Sequence, residues 1–146
     1  MRVHLARLAD GRVLEAAVRT DQHQQKIAFV DRSAFPRLPA AVGAARDWVA
    51  RAFTRAGGTE EQAFTCALLV SELATSAVQH AAGERFEVTV WSSGAVDVRD
   101  GSFTKPEARS SGEEDEGGRG VQLVVGLSRH VELIPLSDGK IIRFWL

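Results

Sequence analysis

One stretch of the chain carries three polar groups at helical spacing. Glu72, Ser76 and His80 follow one another at four-residue steps within LLVSELATSAVQHA. Residues four apart lie on one side of an α-helix, so a carboxylate, a hydroxyl and an imidazole form a polar column. At the mouth of a pocket, the carboxylate could act as a general base. The same spacing also fits a solvated flank, with Ser76 as a spacer and His80 packing or capping near the helix end.

A second candidate is Asp100-Gly101-Ser102, which directly follows a predicted strand. An aspartate at a strand end can accept hydrogen bonds from an amino group on a ligand, and glycine lets ligand and backbone approach closely. Asp-Gly is also a common turn dipeptide, so this motif taken alone is compatible with an ordinary turn.

The third candidate is Gly117-Gly118-Arg119-Gly120, ahead of a helix that we predict to begin near Gly120. Free main-chain N–H groups in such a segment, together with the helix dipole, favour a phosphate group. Arg119 could meet phosphate, a partner's carboxylate or water. The acidic residues 113–116 come just before and must point to solvent or face a cation. The alternatives are a flexible loop tip or, less favoured, the pyrophosphate site of an acyl-CoA-dependent transferase, where the turn normally follows a strand directly.

Two helices are predicted ahead of these motifs. Pro39 suits a first helical position, and Thr59 with Gln62 forms a plausible capping box for the second helix, after Gly57-Gly58 ends the first. The first helix has its apolar stripe at Leu38, Val42, Ala45, Trp48, Val49 and Phe53. The second has its apolar face at Ala63, Cys66, Ala67, Val70, Leu73, Ala74 and Ala77.

Strand patterns flank the helices. Residues 26–30 predict a first strand, residues 86–98 a hairpin with its turn at 92–94, and residues 131–146 a second hairpin. The order strand, helix, helix, two strands, loop, helix, two strands predicts an α+β two-layer sandwich. We expect its helices on one face of a mixed, mainly antiparallel sheet. Residues 26–146 form the predicted domain, and residues 1–25 an N-terminal extension that is either a hairpin turning at Asp10-Gly11 or partly disordered.

Composition bounds the class of protein. The chain has 146 residues, 45% hydrophobic and 25% charged content, a net charge of −1 and one cysteine. These values are typical of a globular domain in a reducing compartment. The sequence contains no apolar run long enough to span a bilayer and no signal-peptide pattern, so we expect a cytoplasmic protein without a membrane partner. Near-neutral charge argues against nucleic acid as a direct partner. Residues 101–118 predict a polar loop too long for a simple connection, and loops of this length in compact domains are either functional or disordered.

Taken together and in order, the three motifs resemble those of the GHKL (histidine-kinase-like) ATPases. Residues 68–81 resemble the N-box helix, VDVRDGS (96–102) the first glycine box, and EGGRGVQLV (116–124) the second; Gly139-Lys140 before the last strand also fits. Residues 35–53 and the small size are similar to the anti-sigma-factor serine/threonine kinases, small regulators widespread in actinobacteria. The resemblance covers residues 27–146 and implies a Bergerat-type ATP-binding fold.

Site roles follow from this resemblance residue by residue. It implies that Glu72 is the general base and that Asp100 accepts a hydrogen bond from the adenine amine. It also implies that Gly101 lets the adenine ring lie close to the backbone. The family has asparagine as its Mg²⁺ ligand where this chain has Ser76, whose shorter hydroxyl would bind the metal directly or through water. The resemblance implies two further groups of cofactor-binding residues. Ser102 belongs to the adenine end of the site, and the lid over the phosphates contains Gly117, Gly118, Arg119 and Gly120.

The implied activity uses ATP and Mg²⁺. We expect a regulator that sequesters a sigma factor and phosphorylates a serine or threonine on an anti-sigma antagonist. The alternative is a non-catalytic protein-binding module of the same fold with weak or no nucleotide binding, because of Ser76. A histidine-kinase catalytic domain is disfavoured because no phosphoacceptor helix pair is present. Trp48, Trp91 and Trp145 fit core or sheet-face packing, while a homodimer is an expectation of the resemblance.

Overall fold

Three helices cover one face of a seven-stranded sheet in the computed structural model, which describes residues 2–7, 13–18, 29–101 and 116–146. Side chains are described for Leu5, residues 31–101 and residues 120–146. The elements, in chain order, are β1 (Arg2–Arg7), β2 (Val13–Val18), β3 (Phe29–Pro36), α1 (Pro39–Arg55), α2 (Glu60–His80), β4 (Arg85–Trp91), β5 (Ala95–Asp100), α3 (Glu116–Leu127), β6 (His130–Leu136) and β7 (Gly139–Trp145).

The strands lie in the order β2-β1-β6-β7-β5-β4-β3. Each neighbouring pair is antiparallel. The predicted α+β sandwich is therefore confirmed, with a sheet that is antiparallel throughout its described strands and not mixed. None of the helices in the described ranges combines the length and the apolar character needed to cross a bilayer.

β1 and β2 pair as one of the two expectations for the N-terminal residues requires, and the turn predicted at Asp10-Gly11 lies outside the described residues. β1 pairs with β2, with Ala6 opposite Leu14, and its other edge pairs with β6, with Val3 opposite Leu133. Leu5 is buried in the common core. The hairpin thus extends the main sheet. The domain boundary predicted at residue 25 falls outside the described residues and stays a prediction.

Local capping rules account for both long helices. Pro39 opens α1, as predicted. At the start of α2, the Gln62 N–H donates to Thr59 Oγ1 at 3.1 Å and the Thr59 N–H donates to Gln62 Oε1 at 3.0 Å, which confirms the capping box. Leu38 does not join the α1 stripe as predicted, because it is the N-cap with extended backbone and is 58% exposed. Ala41 is buried in the stripe instead.

The core lies between the helices and one face of the sheet. The whole predicted apolar face of α2 is buried, and Leu69 adds to it. Alternate residues of the central strands face these helices, among them Val96 and Val98 of β5 with Ile142 and Phe144 of β7. Cys66 is fully enclosed, and this burial raises the pKa of its thiol to about 12. Cys66 therefore behaves as a small apolar core residue, as predicted.

The prediction of a first strand at residues 26–30 was wrong in its C-terminal limit. β3 continues to Pro36 through Asp31, Arg32 and Ser33, and residues 26–28 lie outside the described part of the chain. β3 is the last strand in the sheet order, so its polar side chains and terminal proline are tolerated. Polar composition therefore concealed an edge strand.

The outer face of the sheet, opposite the helices, carries buried charges. Arg143 Nε donates to Asp97 Oδ1 at 2.6 Å, and its second nitrogen donates to Oδ2 at 2.8 Å. This hydrogen-bonded pair raises the pKa of Arg143. The guanidinium lies 5.3 Å from the ring centre of Trp91, and Glu132 is its cross-strand neighbour on β6. The paired charges connect β5, β6 and β7 in a fixed register.

The tryptophans divide between the two faces. Trp48 packs its edge against Phe35, with ring centres 5.9 Å apart, as expected for core packing. Trp91 and Trp145 are half-buried on the outer face, where Trp145 lies 5.0 Å from the His130 ring. Sheet-face packing therefore accounts for both, and a role in dimerisation stays a prediction.

Candidate functional site

Two sequence motifs that are 48 residues apart meet at the contact between α2 and α3. A β-carbon placed on Gly120 would lie 3.6 Å from the carbonyl oxygen of Glu72 and 3.7 Å from its carboxylate Oε2. Gly120 is buried, and Glu72 is half-buried. Because Gly120 has no side chain, the backbone of α3 passes directly beside the candidate base. The fold thus brings the first and third candidate motifs together.

The Glu72 carboxylate is half-buried at the contact with α3. Within the described part of the chain it makes neither a hydrogen bond nor an ion pair. Ser76, one turn later, is half-buried, and His80 is exposed as the last residue of α2. A half-buried carboxylate at this position can accept a proton from an incoming hydroxyl.

Two exposed apolar residues lie on the same side of α2 as the polar column, nearer to the start of the helix. Phe64 and Leu68 lie eight and four residues before Glu72, and they are 75% and 37% exposed. At four-residue steps they lie on the same side of α2 as Glu72. The apolar face predicted for α2 does not include these two residues.

The second candidate motif lies on the sheet, at the end of β5. Asp100 is 9% exposed and directly opposite Lys140 of β7, whose Nζ lies 3.5 Å from Asp100 Oδ1. The Lys140 side chain is 14% exposed. The predicted acceptor is therefore a buried carboxylate with a buried counter-charge. Gly139-Lys140 belongs to the family resemblance, but the ion pair itself has no signal in the sequence.

Tight backbone packing surrounds Asp100. A β-carbon on Gly101 would lie 2.4 Å from the carbonyl oxygen of Ala82, and one on Gly139 would lie 2.0 Å from that of Asp100. Either contact is far closer than real atoms approach, so both positions require glycine. Beside them is a cleft of about 200 Å³, which Asp100, Gly101 and Asp138 help to line. The loops after α2, β5 and β6 thus converge at one end of the sheet.

Arg37 holds the end of α2 at this location. Its Nε donates to the Gly83 carbonyl at 2.8 Å, and its terminal nitrogen donates to the carbonyls of Ala81 and, at 3.4 Å, Val78. The last carbonyls of a helix lack intrahelical partners and carry partial negative charge, so a guanidinium there is favourable. Arg37 thereby positions the segment against which Gly101 packs. Sequence analysis missed it because its partners are backbone atoms more than 40 residues away.

The third motif differs from its prediction. α3 begins at Glu116, so Gly117, Gly118 and Arg119 lie in its first turns and not in a loop before a helix at Gly120. The prediction was wrong because three glycines in four residues disfavour a helix locally, by about 1 kcal/mol each relative to alanine. The first four N–H groups of the helix still lack intrahelical partners, as an anion-binding segment requires.

Two of the predicted site groups fall outside the description. Ser102 and the side chain of Arg119 are not among the described residues, nor are residues 102–115 of the predicted functional loop. For metal binding, the described ranges contain no cluster of three His, Cys, Asp or Glu side chains. A divalent cation at Ser76 would therefore take most of its oxygen ligands from phosphates and water.

Comparison with known proteins agrees with this arrangement. Residues 35–145 match the family model described as a histidine kinase-like ATPase domain. The match spans all three candidate motifs and well over half of the chain, and an ATPase-like domain implies nucleotide binding. A search of the curated proteins found no match. With its three motifs assembled on an α+β sandwich, the chain belongs to the histidine kinase-like ATPase domain family.

Proposed function

We propose that the chain is an ATP-dependent regulator that sequesters a sigma factor and phosphorylates a serine or threonine on an anti-sigma antagonist. The observation that supports this most is the juxtaposition of Glu72 with Gly120. It brings a carboxylate that forms no ion pair among the described residues beside the glycine-rich start of α3, where phosphate groups would bind.

Glu72 is the general base in this proposal. It accepts the proton of the acceptor hydroxyl at a carboxylate oxygen while the hydroxyl oxygen attacks the terminal phosphate of ATP. The bond from that phosphate to the bridging oxygen breaks, and ADP leaves. Half-burial restricts the motion of the carboxylate, and the absence of a described counter-ion keeps its oxygens available. Phosphoryl transfer depends chiefly on such positioning and on charge stabilisation.

Asp100 and Gly101 hold the adenine ring of ATP in this proposal. The Asp100 carboxylate accepts from the exocyclic amine of adenine, and Gly101 lines the cleft beside it. At the other end, N–H groups of the first turns of α3, including those of Gly117, Gly118 and Arg119, face the phosphates. Ser102 belongs to the base end of the same site.

Magnesium is the proposed metal, with Ser76 as its protein ligand. One serine hydroxyl suits a cation that keeps several waters and binds substrate phosphates. When bound, Mg²⁺ would neutralise charge on the phosphates. Recognition of a sigma factor, an antagonist and a second copy of the chain belongs to the proposal through the similarity of residues 35–53 to the anti-sigma kinases.

Radiolabelled phosphate transfer tests the catalytic assignment. The chain is incubated with radiolabelled ATP, Mg²⁺ and a candidate antagonist protein, and Glu72→Gln is compared with Glu61→Gln, an exposed glutamate on the same helix. We expect Glu72→Gln to lose at least about 100-fold in rate, within the usual range for a general base, while Glu61→Gln transfers normally. Undiminished transfer by Glu72→Gln would exclude the assigned role.

Ser76 favours a second candidate, a protein-binding module with the same fold but without kinase activity. A neutral hydroxyl is a poorer Mg²⁺ ligand than a carboxylate or an amide oxygen of longer reach, and no acidic or histidine cluster supports it within the described ranges. Calorimetry with ATP and Mg²⁺ separates the two functions. No binding heat for the natural chain, restored by Ser76→Asn, supports the module; clear micromolar binding contradicts it.

A further inference from the structure

The ion pair between Asp100 and Lys140 leads beyond the recognition of adenine. We propose that Lys140 is a specificity-determining residue of the nucleotide site, which places a hydrogen-bond donor beside the Asp100 acceptor, so that the site takes 6-oxo purine nucleoside triphosphates as well as ATP. This inference rests on the proposed function, because it assumes that Asp100 contacts the base.

Strand register places both side chains on the functional face. Asp100 pairs directly with Lys140 across β5 and β7, as Val98 pairs with Ile142 two residues earlier along β5. Because successive side chains alternate between faces, Asp100 and Lys140 share the helix-facing side with those core residues. The ion pair therefore lies at the end of the core layer, facing α2 and α3 and not the outer surface.

Burial makes the pair a fixed feature. The two side chains are 9% and 14% exposed, and Nζ lies 3.5 Å from Oδ1. The backbone beneath them is constrained as well, since a β-carbon on Gly139 would lie 2.0 Å from the Asp100 carbonyl oxygen. A ligand that contacts the Asp100 carboxylate at this distance also meets the ammonium group.

Donor and acceptor in this arrangement match two kinds of purine. Adenine presents an amino group, which donates, beside ring N1, which accepts. Hypoxanthine presents a 6-oxo group, which accepts, beside a protonated N1, which donates. A carboxylate next to an ammonium group can bind either pair, because the ammonium offers three donors and the carboxylate two acceptor oxygens. With adenine, Asp100 contacts the amino group and Lys140 contacts N1. With hypoxanthine, Asp100 contacts the protonated N1 and Lys140 contacts the 6-oxo oxygen.

Without Lys140, the site would discriminate strongly. A carboxylate facing a 6-oxo group sets two acceptors against each other, and a buried polar group left without its hydrogen bond disfavours binding. Sites that depend on one such hydrogen bond reject the analogue by factors of about 10⁴ or more in the strongest cases. Lys140 removes this penalty by giving the 6-oxo oxygen a donor.

The experiment measures the affinities of ATP and inosine triphosphate, both with Mg²⁺, by calorimetry on the full chain. For the natural chain we expect the two affinities to agree within about tenfold. Lys140→Met is expected to lower the affinity for inosine triphosphate by about 100-fold relative to that for ATP. Lys140→Arg retains the charge and the donors, so the ratio of the two affinities should stay near that of the natural chain. Arg46→Met removes one positive charge on the exposed side of α1 and serves as the control.

The outcomes are distinguishable. If the natural chain binds ATP at least about 100-fold more tightly than inosine triphosphate, the inference is overturned while the proposed nucleotide binding stands, whether or not Lys140→Met folds. An unchanged ratio in folded Lys140→Met overturns it as well. If the natural chain binds neither nucleotide, the proposed function fails and the inference with it. A similar affinity for both, lost in Lys140→Met alone, supports it.

Discussion

The carboxylate Oε2 of Glu72 lies 3.7 Å from the position that a β-carbon on Gly120 would occupy. This is an ordinary van der Waals distance, so the contact between α2 and α3 accommodates one methyl group and little more. Residue size at position 120 therefore controls how closely the start of α3 approaches the proposed base.

Substitutions at Gly120 are expected to differ by size. Gly120→Ala fits the available space and should stabilise the fold by up to about 1 kcal/mol through helix propensity. Gly120→Leu must displace the Glu72 side chain or separate the helices, so it should lower both the melting temperature and phosphate transfer. Thermal unfolding of both variants checks this, and equal stability of the two would contradict the close packing.

Arg37 is expected to stabilise the end of α2. Arg37→Lys keeps the charge but cannot reach the carbonyls of Val78, Ala81 and Gly83 with one ammonium group. We expect a loss of about 1 to 3 kcal/mol in the free energy of unfolding, because part-buried carbonyls lose their charged donor. Urea unfolding measures it, with Arg46→Lys on the exposed side of α1 as the control. Equal losses in the two variants would show that the carbonyl contacts contribute little.

The glycine at the start of β7 should tolerate substitution less than one in an open turn. Gly94 has a φ of 87° and open space around it, so Gly94→Ala incurs only backbone strain of about 1 to 3 kcal/mol. Gly139→Ala must additionally move the Asp100 backbone, 2.0 Å from the new β-carbon. We expect a larger loss of stability together with weaker ATP binding, measured by denaturation and calorimetry. A Gly139→Ala protein with the natural affinity for ATP would disconnect this turn from the base site.

The buried charges of the outer face should behave as a coupled set. Arg143→Met leaves Asp97 and Glu132 without their shared cation and should cost about 3 to 5 kcal/mol of unfolding free energy. Asp97→Val is expected to cost less, since Glu132 still attracts Arg143. A double-mutant cycle by urea unfolding is expected to give a double variant more stable than the sum of the single losses predicts. Simple additivity would contradict the coupling.

Alkaline pH should lower the stability of the fold because Cys66 is buried. The pKa of its thiol is raised from 9.0 to about 12 in the folded chain, so the unfolded chain loses the proton at lower pH. Stability from this group is complete below pH 9 and falls as the pH rises towards 12, by about 1.4 kcal/mol at pH 10. Unfolding at pH 8 and pH 10 should therefore show a steeper decline for the natural chain than for Cys66→Ala. Parallel declines would mean that the thiol is accessible.

Local rules predicted the parts of the fold that depend on neighbouring residues in the chain. The capping box at Thr59 and the buried face of α2 follow from helical spacing, which the sequence displays directly. β3 was harder, because its polar residues 31–33 are acceptable only at the edge of a sheet, and sheet order is a tertiary property. The start of α3 was missed because its glycines disfavour a helix locally, whereas contact with α2 stabilises it.

The residues of the candidate site divide in the same way, into those that the local sequence indicates and those that only tertiary contacts reveal. Motif order was sufficient to select Glu72, Asp100 and Gly120 as candidates, and two of these meet across a helix contact. The ion pair of Lys140 and the contacts of Arg37 had no local signal. The first depends on a cross-strand carboxylate and the second on carbonyls at the far end of a helix. Contacts of this kind depend on which segments the sheet brings together.

The pairing of β1 with β6 has a consequence for the order in which the chain can fold. Val3 is synthesised 130 residues before its partner Leu133. During synthesis, β4 with β5 can form as a hairpin soon after emerging, but β1 must wait for β6 before that edge of the sheet is complete. Such distant pairing slows folding. Until the C-terminal hairpin arrives, the side of β1 that pairs with β6 is an open strand edge on which chaperones can act and through which nascent chains can aggregate.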